Sequence, residues 1–135
     1  MARLFNDAAS DFLSVASVPV SAYPFTMACW FNSDDLTVTQ NLMTITDSAT
    51  TNEEWSIRAA GAAAGDPLRF VSRTGGVNSN ADSTIAYSAN TWQHACAVGT
   101  SATSRTVYLD GGSSGSNTTH STPTSLDTFY IGRSQ

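Results

Sequence analysis

The chain has 135 residues, 41% of them apolar and 13% charged, with six cations against eleven anions for a net charge of −5. That length makes one domain able to bury a core without staples, and the negative field argues against nucleic acid or an anionic membrane as partner. The charged fraction is about half the roughly 25% of an average globular chain, lysine is absent, and no apolar run reaches the roughly 18 residues that a membrane-spanning helix needs.

In chain order, Met1-Ala2-Arg3-Leu4-Phe5-Asn6-Asp7 lacks the apolar core of a secretory signal. Short β-branched or aromatic runs follow, each cut by Gly, Pro, Asn, Asp or Ser. They predict strands at 12–15, 25–32, 42–46, 55–59, 68–73, 83–86, 92–99, 105–109 and 129–132. Strand starts recur roughly every 10–15 residues, the rhythm of a sandwich rather than of βαβ units. The one helix-like stretch, 59–64, is broken by Gly61 and closed by Gly65-Asp66-Pro67, so it reads as a loop. Alternation is clearest in Thr106-Val107-Tyr108-Leu109, which runs into the turn Asp110-Gly111-Gly112. The segments 75–82 and 111–123 read as loops, and no internal repeat is present. Cys29 and Cys96 lie within apolar runs and read as small buried hydrophobes rather than a disulfide or metal pair.

Five signatures then fall in order. They are Asn6-Asp7-Ala8-Ala9-Ser10-Asp11-Phe12-Leu13-Ser14-Val15; Phe25-Thr26-Met27-Ala28-Cys29-Trp30-Phe31-Asn32; Leu42-Met43-Thr44-Ile45 followed by Trp55-Ser56-Ile57-Arg58; the pair of Asn90-Thr91-Trp92-Gln93-His94-Ala95-Cys96-Ala97-Val98 with Val107-Tyr108-Leu109-Asp110-Gly111; and Phe129-Tyr130-Ile131-Gly132-Arg133. Together they resemble the concanavalin A-like jelly rolls of laminin-G-like and pentraxin-like domains, over essentially the whole of residues 1–135. The resemblance implies an all-β, two-sheet antiparallel jelly-roll sandwich. In it Trp92 covers the sandwich edge, and small Ala95 and Ala97 admit the facing sheet. Such domains usually continue past the "IGR" strand with one that returns beside the first. This sequence stops at Gln135, so an incomplete domain, or an edge completed by another chain, is expected.

Glycoside hydrolases of this fold pair carboxylates across the scissile bond. Here the only glutamates, Glu53 and Glu54, are adjacent, so on a strand they face opposite ways. They read as solvated loop charges, like Asp34-Asp35, and no enzyme is expected. His94 reads as structural and His120 as exposed, and no nucleophile elbow accompanies them. By resemblance, calcium would be held at a rim by loop oxygens; Asp47, Asn52, Asp82 and Asp110 are the candidates, without a dense acidic loop to support them. Trp55 and Tyr87 are the candidate sugar-stacking aromatics, each with the alternative of lying in the core. The sequon Asn117-Thr118-Thr119 matters only in a eukaryotic secretory pathway.

The expected function is a non-catalytic structural or adhesion module. Low charge, Ala/Ser/Thr richness and the missing signal resemble virion components of bacteriophages, whether capsid decoration or tail fibre. Its partners would be other virion proteins, copies of itself in an oligomer or array, or a cell-surface glycan. A secreted carbohydrate-binding module is the rival reading.

Overall fold

The computed structural model describes residues 4–5 and 11–134. They form strands β1 (Leu13–Val15), β2 (Phe25–Phe31), β3 (Thr39–Thr46), β4 (Glu54–Ala60), β5 (Pro67–Thr74), β6 (Val77–Ala86), β7 (Gln93–Ser101), β8 (Ser104–Leu109), β9 (Gly112–Asn117) and β10 (Thr128–Ile131). One sheet has six strands in the order β1-β10-β3-β4-β5-β6, the other four in the order β2-β7-β8-β9. Every paired neighbour is antiparallel. This is the two-sheet jelly-roll sandwich that the sequence predicts, and no helix occurs among the described residues. Positions 6–10 of the opening signature lie outside the described residues.

Alternation explains the layers. Phe25, Met27 and Phe31 of β2, Ala95 and Ala97 of β7, and Val107 and Leu109 of β8 point into the sandwich. They meet Ile45, Trp55, Ile57, Ala59, Leu68, Phe70 and Ala81 of the larger sheet. Trp55 anchors this core: its ring lies 4.4 Å from that of Phe25 and 5.0 Å from that of Tyr23. Its indole N–H donates to Tyr23 Oη and Ser72 Oγ, each at 3.1 Å, so the ring is buried without stranding its polar handle.

Two segments read as loops are strand over much of their length, although 118–123 is the loop expected. Only Gly75-Gly76, at φ +57° and +82°, turns; 77–82 is already β6. Its inward residues are the small Ser79, Ala81 and Ser83, because β6 closes against β9 rather than against bulky side chains. Likewise Asp110-Gly111, at φ +53° and +75°, makes the tight hairpin that was expected. It then launches β9, Gly-Ser-Ser-Gly-Ser-Asn, a strand with no apolar residue. The β8 ladder and the seam hold β9: Asn117 Nδ2 donates to the Asn80 carbonyl at 2.9 Å, and a β-carbon on Gly115 would lie 1.6 Å from the Asp82 carbonyl oxygen.

The outer faces differ in kind. Strand residues Glu54, Arg58, Arg69, Arg73 and Asp82 alternate with core positions, so all five share the larger sheet's outer face. Arg105, the remaining charged strand residue, points inward at 1% exposure and donates to the carbonyls of Ala102 and Thr119 and to Asn117 Oδ1. The outer face of the four-stranded sheet carries no charged strand residue. At the larger sheet's edge β1 pairs only with β10 among the described residues, and its Leu13 and Val15 are exposed.

Candidate functional site

Trp30 is the most exposed aromatic ring among the described residues, at 66%. The alternation that buries Phe25, Met27 and Phe31 turns Trp30 outward. Its cross-strand partner is His94, and the two rings meet edge to face with centroids 5.3 Å apart. Asp110, in the β8–β9 turn, fixes this end of β7. Its Oδ1 accepts the His94 N–H at 2.7 Å, its Oδ2 accepts Gln93 Nε2 at 2.9 Å, and its own N–H donates to the His94 carbonyl at 2.8 Å. Trp30, His94, Asp110 and Gly111 line an open depression of about 440 Å³. Trp92 is 53% exposed and lies in the loop before β7, two residues from His94. His94, read as structural, is partly exposed on β7 and forms half of an aromatic pair with Trp30.

The expected aromatic candidates are placed elsewhere. Trp55 is 1% and Tyr87 2% exposed, so neither presents a ring to solvent. Tyr87 donates its hydroxyl to the Asp35 carbonyl at 2.8 Å and packs on Phe31, and burial pushes its phenol pKa up. Trp55 occupies a core position because β4 turns that face inward, and Tyr87, just past the end of β6, is drawn into the core by Phe31 and the Asp35 carbonyl. Trp30 was legible by the same count: two residues from outward Ala28 and one from buried Phe31, it had to face out.

Nor does the structure gather the calcium candidates. Asp47 and Asn52 lie on the β3–β4 loop, where Asp47 Oδ1 accepts the Ala49 N–H at 2.8 Å and the Asn52 carbonyl accepts from Gly76 at 3.0 Å. Asp82 is not on a loop but on β6, where its carboxylate takes Arg69 in a fork at 2.6 and 2.7 Å. Asp110 sits at the opposite rim. Among the described residues no three His, Cys, Asp or Glu side chains are grouped to hold a metal ion, so these residues do not fit the calcium site that the resemblance implies.

The glutamates also depart from expectation. Glu54 is no solvated loop charge: it is 3% exposed on β4 and ion-paired with Arg58. Glu53 bridges two loops, its oxygens accepting from the N–H groups of Gly75 at 2.6 Å and Thr124 at 3.0 Å. His120 is exposed, as expected. Both cysteines are free and half-buried. Cys29 sits on the core side, its thiol pushed up to about 11 by burial. Cys96 faces outward, where partial burial raises its thiol pKa.

A family model described as the concanavalin A-like lectin/glucanases superfamily, of laminin-G type, matches residues 7–135. Among solved structures, the mouse laminin alpha1 chain, domains LG4-5, superposes with a TM-score of 0.62 at 12% identity. The overlap covers 89% of this chain and 31% of that one, and at such identity it speaks to the fold alone. No curated protein sequence matches.

Proposed function

Because the chain belongs to the concanavalin A-like lectin/glucanases superfamily in its laminin-G form, we propose that it is a non-catalytic module that grips a glycan at the Trp30 depression. The observation that carries this is Trp30 itself. A large ring held 66% exposed by a sheet that buries its neighbours loses hydration at little cost in side-chain entropy when a sugar face covers it. His94 holds the ring from the side, and Asp110 keeps acceptor capacity beyond its two protein donors.

Against hydrolysis stands the fate of the carboxylates. Glu54 is neutralised by Arg58 and Glu53 is spent on loop amides. One shallow site gives weak affinity, which display in many copies raises through effective concentration. Adhesion from a surface outside the cell suits such a module. The finer placement on a phage virion rests on composition and is tested by locating the chain in purified particles. The test of the binding reading is titration of a panel of neutral oligosaccharides, followed by tryptophan fluorescence and calorimetry. Trp30→Ala should weaken binding at least tenfold, about 1.4 kcal/mol, with an unchanged melting temperature. Binding that survives the substitution refutes the assignment.

A further inference from the structure

The ligand's chemistry is written on the rest of the same face. Moving along β7 from His94, the outward positions come in cross-strand rows. Trp30 and His94 are followed by Ala28, Cys96 and Tyr108, and then by Thr26, Val98 and Thr106. At roughly 3.3 Å per residue the third row lies about 13 Å from the first. Every one of these positions is at least partly exposed. The smallest side chains, Ala28 and Cys96, fall between Trp30 and Tyr108 in the register. No strand cation or anion interrupts the face, whereas the opposite face carries five charged strand residues.

We infer that this face is a track for one linear, uncharged polysaccharide chain, seated at the Trp30 end and running along β7 past Cys96. The inference rests on the glycan reading above and specifies its ligand. Hydroxyls of Thr26, Thr106 and Tyr108 both donate and accept, as sugar hydroxyls do. Ala28, Cys96 and Val98 offer apolar floor for the carbon faces of the rings. An anionic chain finds no strand cation on this face among the described residues, and meets Asp110 in a molecule of net charge −5. A folded protein partner is the competing occupant, and the test below separates it.

Cys96 lies in the middle of the track and reports on it directly. Iodoacetamide labelling of the intact protein, mapped by peptide mass, would be followed with glucose, cellohexaose, laminarihexaose or an oligogalacturonate hexamer present. Tryptophan fluorescence would be read in the same samples, with Trp30→Ala identifying the part that belongs to Trp30 among the three tryptophans. A neutral hexasaccharide is expected to quench Trp30 and slow Cys96 alkylation several-fold. Glucose should quench without protecting Cys96. Cys29, half-buried on the core side, serves as internal reference and should not change. Tyr108→Ser should weaken the hexasaccharide but not glucose. Quenching by hexasaccharide with no protection of Cys96 confines the ligand to the Trp30 end, overturning the track while leaving the proposed function intact. Equal protection by oligogalacturonate overturns the preference for an uncharged chain. No quenching by any neutral sugar overturns both readings in favour of a protein partner.

Discussion

Replacing Gly115 with alanine tests whether the sandwich is sealed where β6 meets β9. The added β-carbon would sit 1.6 Å from the Asp82 carbonyl oxygen and 2.7 Å from its carbonyl carbon. Carbon–oxygen contacts normally start near 3.3 Å, so β9 must withdraw by about 1.7 Å or β6 must yield. Neither atom belongs to a side chain that can rotate away. Overpacking of this kind costs about 1–3 kcal/mol. The withdrawal also breaks the Asn117–Asn80 bond of 2.9 Å, about 1 kcal/mol more. A total of roughly 2–4 kcal/mol is a large part of the roughly 5–15 kcal/mol that holds a domain folded. Urea unfolding should show a lower midpoint at unchanged slope, and the melting temperature should fall by roughly 10 °C. Gly112→Ala is the control on the same strand: it has ordinary φ and no atom within 4 Å, so it should change stability by less than about 0.5 kcal/mol. If the two variants unfold alike, the seam described above is wrong.

Four further outcomes are expected. Trp55→Ala, which empties the centre of the core and removes one donor from Ser72 and Tyr23, should cost about 3–5 kcal/mol in urea melts; a loss below about 1 kcal/mol refutes its central role. Asp127 holds Ser48 through Oγ at 2.7 Å and N–H at 2.8 Å, which lowers its carboxyl pKa. A lowered folded pKa stabilises above the ordinary carboxylate value of about 3.9 and fades as acid passes through the depressed one. The melting-temperature gap between wild type and Asp127→Asn should therefore close on acidification, and a gap that widens contradicts the assignment. Glu54→Gln, leaving Arg58 without its partner in a half-buried setting, should destabilise the fold, and exposure of wild type to β-glucans should release no reducing sugar; hydrolysis lost in the variant would overturn the non-catalytic reading. If copies associate through β1, with its exposed Leu13 and Val15, then Ser14→Pro should reduce the mass seen by light scattering at high concentration, and an unaltered mass removes that edge from the assembly.

What the letters revealed follows from where apolar side chains had to go. Runs such as Phe25-Thr26-Met27-Ala28 and Thr106-Val107-Tyr108-Leu109 declare strands because their inward residues are large. The turns announced themselves too: Asp110-Gly111 carries the left-handed geometry its residues favour. β9 was invisible because its strand character comes from a ladder and a close backbone approach, and neither leaves an apolar mark. The first half of β6 was hidden for the same reason, its inward Ser79 and Ala81 being small. The site was harder. Aromatics within strands invite either reading, and Trp55 and Tyr87 went inward while Trp30 stayed out. Glu54 was misjudged because its neighbour Arg58, four residues on, lies on the same face and neutralises it there.

The placement of strand charge on one side has a bearing on how the molecule behaves in different media. Packed sheets lie about 10 Å apart, and the larger sheet's charged side chains point away from the smaller one. Whatever touches the uncharged sheet is held away from the arginines behind it, which are themselves partly paired with Glu54 and Asp82, and meets Asp110 at the Trp30 end. A grip made through that side should hold as firmly in brine as in dilute buffer, while contacts made through the other loosen as salt rises.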